Sequence, residues 1–247
     1  MKIIPLSEGS FTIDQTKEFV PFDLSKDQLQ ERPKGSLLVE IQPFVVITSE
    51  DTLLLDAGLG FSDDNDVLML HRNLIAHNID PMSITKVLMT HLHKDHAGGL
   101  VKYDAMRKDY FLSFPQAEYY INKNEMHLAM QGNNPSYKKE QLHILSQSSQ
   151  VVLTEDQGII DDYISFEVTA AHAPHHQVFK ISDSEEIIFF GGDDAPQWQQ
   201  MKSRFVAKYD HDGQKAMQLR KDWWEQGERE KWTFLFYHDI KRPVWKF

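Results

Sequence analysis

The 247-residue chain contains no cysteine. That absence excludes disulfides, iron–sulfur clusters, thiolate zinc fingers and any cysteine nucleophile or cysteine metal ligand. Basic residues are in deficit: 26 Lys and Arg face 37 Asp and Glu, for a formal charge of −11. Generic binding to nucleic acid or an anionic membrane needs the opposite balance, so neither partner is expected. Long apolar runs are missing as well. No stretch approaches the roughly 18 apolar residues that span a bilayer. The opening segment meets Pro5 and Glu8 before an apolar region of secretory length can form. A soluble, cytoplasmic protein is expected, with a small molecule as its partner and a homodimer left open.

What is plentiful is histidine, with 12 in the chain. The length fits a single large domain spanning residues 1–247, and neither repeats nor low-complexity linkers divide it. Apolar, partly β-branched runs predict strands over 37–47 (broken by Pro43), 52–55, 84–90, 151–153, 165–169, 177–181, 186–190 and 232–237. A hairpin turn is expected at 182–185. Helical periodicity predicts helices over 64–79, 124–130, 136–145, 197–209 and 213–230, with a polar break at 132–135. Strands dominate both halves with helices between and after them, which is the pattern of a layered α/β domain. The aromatic-rich stretch 103–150 reads either as a lid that sets specificity or as core and helix-packing aromatics.

One cluster carries chemistry. The strand at 84–90 runs into His91-Leu92-His93-Lys94-Asp95-His96, followed by Gly98 and Gly99. On an extended segment alternate residues share a side, so His91, His93 and Asp95 project together. A turn at Asp95 and His96, with the glycines allowing close backbone approach, brings His96 round to them. Three imidazoles and a carboxylate are too many for one tetrahedral ion that keeps an open position. They suit two adjacent metals that share further ligands from elsewhere.

This His-x-His-x-Asp-His run after a strand, with Leu55-Asp56-Ala57-Gly58 upstream, resembles the metallo-β-lactamase superfamily. The resemblance implies a four-layer αββα sandwich. It also implies three further ligands at strand ends, and His172, Asp193 and His238 stand in order at matching motifs. Carried over, His91, His93 and His172 hold one metal; Asp95, His96 and His238 hold the other; and Asp193 bridges, with Asp194 a rival for that role. Asp56 is a turn carboxylate that hydrogen-bonds the ligand loop. Two divalent ions per chain are implied, Zn²⁺ best suited and Mn²⁺ or Fe²⁺ allowed. The implied reaction is hydrolysis by a metal-bridging hydroxide, with Asp95 and Asp193 as its catalytic carboxylates.

Among the remaining histidines, His175 replaces a glycine usual in the family's third-ligand loop. It is either an extra imidazole near the site or a solvated loop residue. His127 either faces the pocket or not, and His71, His77, His143 and His211 are expected on solvated surfaces. The missing cysteine points away from the β-lactamase branch, and the resemblance is nearest to lactonase- and esterase-like hydrolases of small esters, lactones or related carbonyl compounds. A glyoxalase II-like thioesterase is the alternative, and a non-catalytic metal-binding protein a further one. No tyrosine follows the bridging aspartate closely, as it does in acyl-homoserine lactonases.

Overall fold

A computed structural model of the chain describes residues 1–104, 108–131, 134–183 and 186–247. Its frame is a pair of six-stranded sheets. In spatial order the first holds Lys2–Pro5, Phe44–Ile47, Thr52–Leu55, Lys86–Leu88, Glu118–Asn122 and Val151–Thr154. The second holds Gln157–Ile160, Ile164–Val168, Gln177–Asp183, Glu186–Phe190, Thr233–Leu235 and Val244–Lys246. Parallel neighbours need long crossovers, and helices supply them. Lys123–Met130 and Lys139–Ser146 return the chain from Glu118–Asn122 to its parallel partner Val151–Thr154. Gly213–Glu230 returns it from Glu186–Phe190 to Thr233–Leu235.

Strand alternation decides what lies between the layers. Phe44, Val46, Leu53, Leu55 and Leu88 of the first sheet meet Phe179, Ile181, Ile188, Phe190 and Leu235 of the second in one buried cluster. Their neighbours Val45, Leu54 and Val87 face the other way, onto Leu70 and Leu74 of helix Met69–Ala76 and the helical residues Met126 and Leu142. On the far side Val178, Phe189 and Phe234 pack against Trp223 of Gly213–Glu230. Helix, sheet, sheet and helix thus form the four-layer αββα sandwich.

Several predicted elements differ from what forms. The 37–47 run splits at Pro43: Leu37–Ile41 joins a small sheet with Gly9–Ile13 and Val20–Pro21, while Phe44–Ile47 enters the main sheet. The first helix is confined to Met69–Ala76, because Asp63 turns the preceding chain by accepting the Asn65 and Val67 amides. The helix predicted at 197–209 closes after Trp198–Met201. Beyond it, Arg220 holds the Phe205 carbonyl at 2.6 Å, and the amides of His211 and Asp212 bond back to His172 and Ala171. Tertiary partners therefore take backbone groups that a longer helix would use. The 103–150 stretch is mostly scaffold: it supplies the hairpin of Val101–Asp104 and Asp109–Leu112, the strand Glu118–Asn122 and two helices. The expected turn at 182–185 and the break at 132–135 extend outside the described residues.

The closest helix–sheet approach is at Gly227, where a methyl group would overlap the buried Phe234 ring. Gly227→Ala should therefore lower unfolding free energy by about 1–3 kcal/mol, despite alanine's better helix propensity. Denaturant unfolding of the two proteins checks this, and a variant more stable than the parent would refute the packing argument.

Candidate metal centre

All seven residues singled out in the sequence converge at one end of the sandwich. His91 and His93 follow strand Lys86–Leu88, and Asp95 and His96 lie in the one-turn helix Lys94–Ala97. The extended run expected through Asp95 is replaced by this turn, which His96 and Ala97 close by donating to the His93 carbonyl at 2.9 and 2.8 Å. Gly98 makes the turn possible, since a Cβ there would strike the Leu59 carbonyl. His172 follows Ile164–Val168, Asp193 sits in the short 3-10 turn Gly192–Asp194 after Glu186–Phe190, and His238 follows Thr233–Leu235.

Three groups of ligand atoms lie within 4.8 Å of one another: His91, His93 and His172; Asp95, His96 and His238; and His91, His96 and Asp193. His93 Nδ1 is 2.9 Å from His91 Nε2 and 3.3 Å from His172 Nε2. Asp193 lies among the others. Its Oδ1 is 2.9 Å from His238 Nε2 and 3.1 Å from His96 Nε2, and its Oδ2 is 3.2 Å from His172 Nε2. Asp194 faces elsewhere: it accepts from Thr169 Oγ1 and the His172 amide and lies 3.1 Å from His176 Nδ1.

Three of the inward nitrogens are aimed by a partner on the far side of the ring, which sets tautomer and orientation. His96 Nδ1 donates to Asp56 Oδ2 at 2.7 Å, His172 Nδ1 to Asp210 Oδ1 at 2.9 Å, and His238 Nδ1 to the Glu40 carbonyl at 2.7 Å. Asp56 also receives the Thr90 amide and hydroxyl, both at 2.8 Å. It does so from a left-handed backbone conformation that Asp tolerates. The Tyr237 ring stacks on His96, and its hydroxyl donates to the Asp95 carbonyl at 2.6 Å.

Electrostatics match a cation. Burial, reinforced by neighbouring imidazoles, pushes His91 and His93 far below their usual range, so both are neutral. Burial also opposes charge on His96, His172 and His238, but Asp193 and other nearby carboxylates outweigh it and raise all three. The same contacts overcome burial at Asp193 and hold it well below the carboxylate range. His96 Nε2 and Asp193 Oδ1 are buried without a hydrogen-bond partner. Nitrogen lone pairs at 2.9 Å and orphaned, opposed ligand atoms fit a bound divalent ion, and the all-nitrogen-and-oxygen set fits Zn²⁺, Mn²⁺ or Fe²⁺.

The sequence reading missed several contributors. Asp210 lies between the predicted helices 197–209 and 213–230, where it reads only as a candidate helix cap. His176, not His175, is the fully buried neighbour, and its Nε2 accepts the Asp193 amide at 3.2 Å. Glu125 receives the Leu92 amide at 3.0 Å and the Tyr137 hydroxyl at 3.1 Å, which ties the ligand loop to the 103–150 stretch. Distance in sequence hid these, since the partners of Asp210, Glu125 and His176 stand 38, 33 and 17 positions away. His127 is exposed. His71 is not solvated as expected but packs on Phe114 and bonds the Ser113 carbonyl, and His211 lines the cavity described next.

A cavity of about 1190 Å³ opens over the cluster and exposes His93, Asp95, His172, Asp193 and His238 on its floor. Its walls come from residues between 13 and 39, from Leu128, Gln131, Asn134, Ser136 and Tyr137, and from 208–211. Tyr209, absent from the sequence reading, stands in it 6.2 Å from the His172 ring.

A model of the metallo-beta-lactamase superfamily matches residues 39–222. No curated protein matches the sequence. Among solved structures, a probable metal-dependent hydrolase from Staphylococcus aureus superposes with a TM-score of 0.79 at 21% identity, over 99% of this chain and 91% of that one. AbOPH, a hydrolase in the beta lactamase superfamily, gives 0.73 at 20% identity over 99% and 89%. AidC, a dizinc quorum-quenching lactonase, gives 0.71 at 19% over 98% and 88%. These likenesses establish a shared fold.

Beneath the ligand loop lies a buried acid. Glu8 Oε2 accepts the Leu59 amide at 2.7 Å while Oε1 has no partner. Burial pushes its carboxyl up to about 7, against the lowering effects of the Leu59 amide and Lys138. The stabilisation from a protonated Glu8 is complete below the unfolded-state value and is lost as pH rises through 7. Glu8→Gln should match the parent near about pH 4 and exceed it by on the order of 3 kcal/mol near about pH 9. Thermal unfolding across that range tests this; a gap that does not widen with pH would refute it.

Proposed function

The chain belongs to the metallo-beta-lactamase superfamily, and from that membership we propose that it is a dinuclear metal-dependent hydrolase of small esters, lactones or related carbonyl compounds. The observation that carries the reading is the position of Asp193, whose two oxygens reach His96 and His238 on one side and His172 on the other. A carboxylate so placed serves two neighbouring ions. His91, His93 and His172 would hold one; Asp95, His96 and His238 the other; and Asp193 both. Zn²⁺ suits the donor set best. Ions held there lower the pKa of water towards neutrality and polarise the carbonyl oxygen.

The protein's own groups do the rest. Asp193, kept ionised by its imidazole neighbours, accepts a hydrogen bond from the attacking water and orients it towards the carbonyl. Asp56, Asp210 and the Glu40 carbonyl hold three imidazoles in register, so little reorganisation is needed during the reaction. The cavity walls position the acyl compound and limit access of bulk water. Water adds to the carbonyl carbon and the alcohol departs with a proton, leaving acid and alcohol as products. No helix among the described residues is long and apolar enough to cross a membrane, and the cavity suits a small diffusible substrate.

Asp193→Ala and His96→Ala should each abolish hydrolysis and reduce bound metal from two ions per chain towards one or none, as read by elemental analysis beside a panel of esters, lactones, thioesters and phosphotriesters. Retained metal in both variants would refute the ligand assignment, and a metallated parent inactive on the whole panel would refute the hydrolase. Asp210→Asn should weaken metal affinity by roughly 10–100-fold while leaving the ligands intact. Metal uptake must also displace protons from His96, His172 and His238. Affinity measured by competition with a chelator should therefore go on rising as pH climbs past the ordinary imidazole range, and a profile already level there would contradict the raised pKa values.

A further inference from the structure

The cavity is charged in a way that the chain as a whole is not. Three lysines line it, Lys17, Lys94 and Lys208, in a chain of net charge −11. Among the described residues none of the three has a carboxylate within 4.0 Å, although ten other cation–carboxylate pairs involving Lys, Arg or the N-terminus are formed. The acids that share the cavity are already engaged. Asp95 and Asp193 face the imidazole cluster, Asp210 takes His172 Nδ1, and Asp14 closes its own turn by accepting the Thr16 amide and hydroxyl.

Position adds to the imbalance. Lys94 directly follows His93 and precedes Asp95, and its Nζ stands 6.0 Å from the centre of the Phe19 ring, which also lines the cavity. Lys17 lies two residues before Phe19, with its backbone in a left-handed conformation. The same wall presents Ile13, Leu37 and Val39. Lys208 also lines the cavity, adjacent in sequence to Tyr209, whose ring stands 6.2 Å from that of His172. Lys94 also repels the half-buried Lys138 behind it: burial first and then Lys94 lower the Lys138 ammonium, against the pull of Glu8 and Asp95. Uncompensated ammonium groups beside an apolar wall are a binding arrangement for an anion attached to a hydrocarbon.

We propose that the substrate of this site is an anionic acyl compound, in which a negatively charged group separate from the carbonyl under attack is held by Lys94, Lys17 and Lys208 while its apolar portion lies along Ile13, Phe19, Leu37 and Val39. The proposal rests on the hydrolase reading for the word substrate, but the recognition is measurable by binding alone. A pair of unreactive probes separates the two: the anilide of octanoic acid, and the same anilide bearing a terminal sulfonate, a weak ligand for divalent metals.

Calorimetric titration of the zinc-loaded protein should find the sulfonate probe bound roughly 10-fold more tightly or better at low salt, with the advantage shrinking as salt screens it. The ratio of affinities should fall to about 1 in K17Q/K94Q/K208Q and persist in K17R/K94R/K208R, since arginine keeps the charge. Equal binding of the two probes by the parent would overturn the proposal, and so would a preference that survives the glutamine triple variant. A preference that behaves as expected in a protein that hydrolyses nothing would retain the anion site and sink the hydrolase. Ester turnover with no charge preference would do the reverse.

Discussion

Five imidazoles and two carboxylates are gathered at the floor of the cavity with their ligand atoms pointing at one another. Left to themselves, such groups would rotate apart or draw water in, because unpartnered buried polar atoms cost free energy that a fold of ordinary stability cannot carry in number. The arrangement persists because three of the rings are gripped from behind. Asp56, Asp210 and the Glu40 carbonyl each take a ring nitrogen, while Asp194 takes the backbone of the His172 loop. The outward hydrogen bonds, more than the inward contacts, determine where the lone pairs converge.

These grips are anchored in the sandwich. Asp56 and Thr90 follow adjacent parallel strands, so their hydrogen bonds are an extension of the sheet beyond its last ladder rung. Arg220, fully buried on the outermost helix, donates to the Asp194 carbonyl at 3.0 Å and to Phe205. That one side chain connects helix Gly213–Glu230 to the loop holding His172 and to the loop carrying Asp210. The layer farthest from the cavity therefore helps set the geometry of its floor. The 103–150 stretch has a similar double role: most of it completes the first sheet and its helical cover, and Glu125 and Tyr137 bring it against the ligand loop.

Lysines in the cavity answer a different requirement. Divalent ions held on the floor would be offset there by Asp95 and Asp193, with Asp210 behind His172, so what the walls carry would decide which substrates enter. Leaving three ammonium groups without carboxylate partners, in a chain with an excess of acids, makes those walls selective for charge as well as for shape.

Much was legible before any fold was known. The His91, His93, Asp95 and His96 run lies within six consecutive positions, so alternation and spacing were enough to mark those four, while His172, Asp193 and His238 were marked by the resemblance to the metallo-β-lactamase superfamily. The order of strand runs with helices between and after them likewise announced a layered α/β domain. Asp210, His176, Glu125 and the cavity lysines carry no such signal, because each acts on a residue dozens of positions away and its own neighbours say nothing of that partner. The helix predicted at 197–209 failed for the same reason: local periodicity favoured it, while Arg220 and the His172 loop claimed its backbone groups. The sequence by itself determined which residues have ligand chemistry and which strands carry them. Tertiary structure alone decided which way each ring points and what surrounds it, since hydrogen bonds and packing act through space, where distance along the chain has no meaning.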